Sequence, residues 1–229
     1  MNWKWPAEGN TADIYHAETA HSSVYGMMES SVDDGMLDFS YQVTTASEHY
    51  FVMNLVPREG APHMTANPVN GTPPVVTEYF EQTQAWFVER LGDVRSRIRG
   101  IAGLIWPNLA IIPSIGSIHL IQPKGARRSE ILSWQLVDVD APFEVKEAIR
   151  KTATMLFGPG GAIEQDDGEN WSALTIAAAG YRSSQNSFDI SMGLGNEHIH
   201  PELPGVAAPM MSEHNIRGFY RRWAREVGV

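Results

Sequence analysis

The chain has 229 residues, no cysteine, and 27 acidic against 17 basic side chains, for a net charge of -10. That length fits one domain, the lack of cysteine excludes a disulfide framework and any thiolate-held cluster, and the acidic balance excludes nucleic acid as the main partner, since phosphate binding needs a basic face. Hydrophobic residues make up 43%, ample for a packed core, yet no run approaches the roughly 20 apolar residues of a membrane span and no signal-like leader opens the chain, so a cytoplasmic protein away from membranes is expected.

Residues 6 to 22 read as a helix carrying Asp13, His16 and His21. Asp13 and His16 are three apart and share a helical face. His16 and His21 are five apart, about 140° around an ideal helix. Both can face one metal only if the helix ends or distorts between them. Residues 36 to 44 alternate, with Leu37, Phe39, Tyr41 and Val43 apolar, which predicts a half-buried strand; 50 to 56 reads as its antiparallel partner. Seven prolines and glycines between 57 and 74 predict a loop. Tyr79, Thr83, Phe87, Leu91, Val94 and Ile98 mark an amphipathic helix over 75 to 99.

Strands are predicted over 109 to 113, 117 to 122 and 130 to 139. A helix from 142 to 156 follows, with Asp140 as N-cap and Pro142 in its first turn. The run Glu164-Gln165-Asp166-Asp167-Gly168-Glu169 reads as an acidic turn, and His198 and His200 as loop residues. The last helix, 213 to 226, carries Ile216, Phe219, Tyr220 and Trp223 on one side. Strands in runs with long helices between them predict an α+β fold with an antiparallel sheet.

Two histidines within six residues can hold one metal, and the distal acidic run can supply a carboxylate. Two imidazoles and one carboxylate, with other positions open, form the ligand set of non-haem Fe(II) oxygenases. A third of the set comes from either Asp166 or Asp167. Neighbouring aspartates rarely point the same way, so one should ligate and the other face solvent or support the site from behind. Other classes are a zinc hydrolase, for which Glu18 is the near candidate base, and a metal-free ligand-binding module.

Further blocks run the length of the chain. They are Asn2-Trp3-Lys4 with Ala7-Glu8, Asp13-Ile14-Tyr15-His16 and His21, Trp106-Pro107-Asn108-Leu109, and Val137-Asp138-Val139-Asp140-Ala141-Pro142. Phe157-Gly158-Pro159-Gly160-Gly161 leads into Gln165 to Trp171, and Met192-Gly193-Leu194-Gly195 and Arg217 to Trp223 follow. With these the chain resembles the catalytic domain of the large (alpha) subunit of Rieske-type aromatic ring-hydroxylating dioxygenases, of the biphenyl, toluene and polycyclic aromatic kind. The resemblance implies a helix-grip sheet of the START or Bet v 1 type, flanked by helices, with a pocket between.

It further implies a mononuclear Fe(II) on His16, His21 and Asp167, the last by match to the second aspartate of the acidic run. Asp13 becomes the acid bridging an iron-ligand histidine to the Rieske histidine of a neighbouring subunit. Ala17, Phe157 and Ile163 match positions along the substrate cavity. Gly9 and Asn10 depart from the family's pattern of a polar amide followed by an aromatic. The implied reaction adds O2 to an aromatic ring to give a cis-dihydrodiol, with NAD(P)H as ultimate donor through a ferredoxin and reductase chain. The same iron site supports monooxygenation or dealkylation. The implied assembly is a homotrimer or an alpha-beta hexamer.

The family's large subunit opens with a [2Fe-2S] Rieske domain, whose cluster needs two cysteines and two histidines. This sequence has no cysteine and starts near the family's catalytic domain. Residues 1–229 are therefore expected to be that domain alone, requiring a Rieske cluster carried elsewhere, with a separately encoded catalytic subunit as the alternative.

Overall fold

A computed structural model describes residues 1–11, 13–27, 37–56 and 73–229. Its sheet has eight strands, all antiparallel to their neighbours, in the order β6-β5-β4-β3-β2-β1-β8-β7. The strands are β1 (Ser40–Thr44), β2 (Tyr50–Leu55), β3 (Ile98–Ile105), β4 (Leu109–Ile112), β5 (Ser117–Pro123), β6 (Ser129–Gln135), β7 (His198–Ile199) and β8 (Val206–Pro209). The helices are α1 (Lys4–Gly9), α2 (His16–Ala20), α3 (Ser22–Met27), α4 (Pro74–Ser96), α5 (Phe143–Phe157), α6 (Glu164–Ala178) and α7 (His214–Val227). This is the α+β, helix-flanked antiparallel sheet that the sequence predicts.

The core follows from the apolar stripe of α7, which packs on β1 and β2. Phe219 is fully buried with Tyr50, Leu104, Ala110 and Ile121 from four strands and Ala7 from α1. Burying a phenylalanine on this scale stabilises by roughly 2–3 kcal/mol. Trp3 and Trp106 meet its ring edge-on at 5.9 and 5.1 Å. One residue on, the Tyr220 hydroxyl donates to Glu8 Oε2 at 2.6 Å, and Lys4 Nζ lies 4.4 Å from the Trp223 ring. The N-terminal segment is thus fastened along α7 before it reaches the histidines.

Several boundaries differ from the sequence reading. The helix expected over 6 to 22 is three short ones, α1, α2 and α3. Of the strand expected over 36 to 44, Leu37–Phe39 forms a 3-10 turn, β1 begins at Ser40, and Met36 lies outside the described residues. The expected loop at 57 to 74 lies outside them up to residue 72, and Pro74 opens α4. α4 stops at Ser96, with a break at Gly92 (φ 76°, ψ 171°), so Ile98 belongs to a strand. That strand, β3, was not anticipated, because Gly100 and Gly103 dilute its pattern. Both glycines are required by close approach. A Cβ at 103 would stand 2.3 Å from the Phe51 ring, and one at 100 would stand 2.6 Å from Pro113.

β6 ends at Gln135 rather than 139. Pro142, not Asp140, is the N-cap of α5; Asp140 instead donates its amide to the Asp138 side chain at 2.9 Å. The acidic run is the first turn of α6 and not a turn between elements, which suits the positive end of a helix dipole. His198 pairs with Ala207 in the short edge strand β7, while His200 follows it. Among the described residues no helix is long and apolar enough to cross a membrane.

Candidate metal centre

The break between α2 and α3 builds the site. α2 is five residues long, and His21 leaves helical geometry at φ -104°, ψ 17° while its amide still bonds the Ala17 carbonyl at 3.1 Å. This is the distortion that the five-residue spacing demanded. The two imidazoles turn together, with ring centroids 5.1 Å apart and planes at 76°.

The segment before α2 is held by the sheet. Asn215, fully buried at the start of α7, donates from Nδ2 to the carbonyls of Thr11 (2.9 Å) and Phe51 (3.0 Å), and its Oδ1 accepts from Thr44 at 3.0 Å. Asn10 folds back onto the Pro6 carbonyl at 2.8 Å, and a side chain at Gly9 would crowd Trp171 of α6 at 3.1 Å. Gly9 and Asn10, which depart from the family's pattern, therefore serve the packing of α1 against α6.

Asp167 reaches the histidines from the first turn of α6. Its Oδ1 lies 3.3 Å from Nε2 of His16 and 3.3 Å from Nε2 of His21. The ligand atoms of all three residues lie within 4.8 Å of one another. Two bonds of about 2.1 Å to a shared metal at about 100° span a similar distance, so the donor set fits one mononuclear ion. No other such cluster occurs among the described residues.

Each imidazole is oriented from behind, as metal-ligating histidines need. The His16 Nδ1 bonds the Asp13 backbone carbonyl, and His21 Nδ1 lies 3.3 Å from Asp166 Oδ2. Consecutive helical residues diverge by about 100°. Asp166 and Asp167 thereby take the two ends of one ring. The Asp13 carboxylate stands 3.8 Å from His16 Nδ1, and its Oδ1 is buried with no hydrogen-bond partner among the described residues. Glu18 is exposed on α2, away from the role of a base at the metal.

The charges support one another. Burial opposes ionisation of Asp167, but hydrogen bonds from His16 and His21 hold its carboxyl below the ordinary value. Burial likewise disfavours a charged His16, and the Asp167 and Asp13 charges raise it in spite of that. Asp13 is pushed up by burial, with His16 opposing and Asp167 and Glu213 adding to the rise. Glu164, one turn before Asp167, is pushed up to about 7 by burial and then by Asp167.

Ala17 is buried beside His16. Phe157 and Ile163 come together with Val24 and Leu156, where the end of α5, the start of α6 and α3 meet. This apolar cluster flanks the metal cluster through α3 and α6. The sequence reading missed Asn215, and it missed His119, a buried histidine on β5 whose alternation with Ser117 and Ile121 was the available signal.

The family model described as "Ring hydroxylating alpha subunit (catalytic domain)" matches residues 1–228, and the chain belongs to that family. The biphenyl 2,3-dioxygenase subunit alpha of Rhodococcus jostii (strain RHA1) is 32% identical over 234 residues, covering 98% of this chain and 50% of that protein. The benzene 1,2-dioxygenase subunit alpha of Pseudomonas putida is 29% identical over 241 residues, covering 98% and 51%. The chain spans about half the length of the curated relatives it matches. Among solved structures, a naphthalene 1,2-dioxygenase mutant bound to phenanthrene superposes with a TM-score of 0.82 at 22% identity, covering 97% of this chain and 51% of that one. The Rhodococcus sp. naphthalene 1,2-dioxygenase bound to indole gives 0.75 at 26% identity, covering 98% and 53%.

Proposed function

We propose that this chain is the catalytic domain of an aromatic ring-hydroxylating dioxygenase, holding a single Fe(II) on His16, His21 and Asp167 and adding O2 to an aromatic ring to give a cis-dihydrodiol. The observation that carries the reading is the convergence of two Nε2 atoms on one Asp167 oxygen in a chain of this family. Bound there, Fe(II) supplies O2 activation beside the ring, with coordination positions left open by three protein ligands.

The protein's residues do the rest. His16 and His21 are kept in the Nδ1–H tautomer by Asp13 and Asp166, which aims both Nε2 lone pairs inward. Asp167 offsets part of the metal's charge. Ala17, Phe157 and Ile163 supply apolar wall that places the ring near the iron and keeps water out. Asp13, with a buried and unpartnered carboxylate oxygen, links His16 to a Rieske [2Fe-2S] centre on a neighbouring subunit, which delivers electrons from NAD(P)H through a ferredoxin and reductase. A trimer of such subunits, with or without a beta subunit, provides that neighbour.

Anaerobic loading with Fe(II), followed by removal of loose metal, should leave one iron per chain, and His16→Ala or His21→Ala should remove most of it. Full iron retention in both variants would overturn the ligand assignment. Reaction of the loaded chain with naphthalene and peroxide should give the cis-diol; a phenol as sole product would instead favour monooxygenation.

A further inference from the structure

We propose that Tyr220, hydrogen-bonded to Glu8, starts a protective oxidation route that carries an oxidising equivalent from the metal site to the paired indoles of Trp3 and Trp106 when the site is activated with no substrate bound. This rests on the iron reading of the site, and it concerns survival of the protein rather than ring oxygenation.

In a chain without cysteine, phenols and indoles give up one electron most readily, and a phenol does so only when a base within hydrogen-bond reach takes its proton. Two tyrosines near the site have such a base. Tyr15, next to His16 in sequence, donates to Glu213 Oε1 at 3.3 Å, and Tyr220 donates to Glu8 Oε2 at 2.6 Å. The second is much the shorter bond. Tyr50 packs in the same aromatic cluster, but its hydroxyl is buried with no hydrogen-bond partner among the described residues. It has nowhere to send a proton.

The Glu8–Tyr220 pair joins the metal site to that cluster. On the metal side, Gly9 follows Glu8 and lies so close to Trp171 that a Cβ would stand 3.1 Å from the indole nitrogen. Trp171 is one turn along α6 from Asp167. The Asp13 carboxylate, 3.8 Å from His16 Nδ1, also acts electrostatically on Glu8. On the far side, Tyr220 meets the Phe219 ring at 5.2 Å, and Phe219 meets Trp106 at 5.1 Å and Trp3 at 5.9 Å. The two indoles are 6.4 Å apart and half-buried. Trp106 Nε1 donates to the surface carboxylate of Glu226 at 2.9 Å, so this indole too has a base for its proton. Arg222 lies 5.0 Å over the Trp106 ring, with its charge paired to Glu226.

The step balances with hydrogen peroxide as the oxidant. Peroxide takes up two electrons, and two protons from solvent, and becomes two waters. One electron comes from the bound Fe(II), which becomes Fe(III). The other comes from Tyr220, whose phenolic proton passes to Glu8. The phenoxyl then recovers that proton and takes an electron from Trp106, whose N–H proton passes to Glu226. Ascorbate in solution returns a hydrogen atom to the indole, and Glu226 releases its proton.

The test mixes the iron-loaded 229-residue chain with hydrogen peroxide, without aromatic substrate or ascorbate, and freezes it within seconds. Electron paramagnetic resonance should show an organic radical, and mass spectrometry of the digest should place added oxygen on Trp3 and Trp106. Tyr220→Phe should lose the radical, lower oxidation of the two indoles and raise it at His16, His21 and Trp171. Glu8→Gln keeps an acceptor for the Tyr220 hydroxyl but offers no base, so it should lose the radical while staying folded. Tyr50→Phe should keep the radical and the oxidation pattern. A radical surviving in both Tyr220→Phe and Glu8→Gln, or lost equally in Tyr50→Phe, would overturn the proposal, as would the same radical from the chain without iron. Failure to retain iron would sink the metal reading and this proposal together. Iron retained and peroxide consumed with no radical would sink this proposal alone; the expected radical with no oxygenated product from any aromatic would sink the oxygenase reading alone.

Discussion

His21 and Asp166 face each other at 3.3 Å, Nδ1 to Oδ2, while Oδ1 of the very next residue, Asp167, lies 3.3 Å from the ring's other nitrogen. One imidazole is bracketed by consecutive carboxylates, one on each nitrogen. The two aspartates therefore differ in kind, and substitution should separate them. Asp167→Ala removes a ligand and should lose most of the bound iron. Asp166→Ala leaves all three ligands but frees the ring, which should weaken the metal by about 10- to 100-fold. Asp166→Asn, still able to accept from Nδ1, should stay close to wild type. Iron per chain after competition with a graded chelator measures all three. Full iron in Asp167→Ala together with loss in Asp166→Ala would exchange their roles.

Asp13 behaves differently, because the group that orients His16 is its backbone carbonyl. Replacing the side chain leaves that bond in place. Asp13→Ala should keep its iron yet lose turnover driven by a Rieske partner and NADH. Iron content and rate are read on the same sample. A variant turning over at the wild-type rate would remove Asp13 from the electron route, and one that loses its iron would make the carboxylate a support for His16.

Glu8 gives the fold a pH dependence. Burial pushes its carboxyl up to about 7, opposed by the Tyr220 hydrogen bond and aided by Asp13 and Glu213. An unfolded glutamate titrates near 4.3. Between these values the native chain keeps a proton that the unfolded chain has released, so stability is complete below the unfolded value and falls as pH rises towards 7. The loss is on the order of 4 kcal/mol at about 1.4 kcal/mol per pKa unit. Glu164 adds a loss of the same sign. Metal-free Glu8→Gln keeps an acceptor for Tyr220 and should show a visibly flatter fall in Tm from pH 5 to 8 than the parent chain. Parallel Tm curves would rule out a perturbed Glu8.

The features legible in the sequence were those set by local periodicity. The apolar stripe of α7 places Phe219 in the core, and the alternation at 41 and 43 places β1. Even the break at His21 was readable, as the only way for a five-residue spacing to serve one metal. What escaped depended on contacts distant in sequence. β3 is written with glycines because Phe51 and Pro113 occupy the space above it, so its pattern makes sense only once its neighbours are known. The Asp-Asp-Gly run looks like a turn, yet it is helical because the aspartates have histidines to meet and a helix N-terminus to sit on. Asn215 looks like any early-helix asparagine until its amide is seen on the Thr11 carbonyl, just ahead of Asp13.

The supply of electrons yields the last prediction. Placing both atoms of O2 on a ring as a cis-diol consumes two electrons and two protons beyond what the ring provides. A single ferrous ion gives up one electron readily. The second has to come from another centre, and a sequence without cysteine cannot ligate a Rieske cluster. The iron-loaded 229-residue chain given naphthalene, O2, NADH and a reductase should therefore show no sustained diol formation, since each chain holds only one of the two electrons a diol consumes. Peroxide carries both electrons along with both oxygen atoms, so hydrogen peroxide in place of O2 and NADH should restore slow diol formation on the ferric protein. Asp13→Ala should leave that peroxide reaction intact, since no electron then has to enter past Asp13. Product counted per iron by chromatography decides the matter. Sustained diol formation with NADH and reductase alone would mean that this chain receives its second electron by a route without a cluster, and the requirement for a Rieske partner would fall.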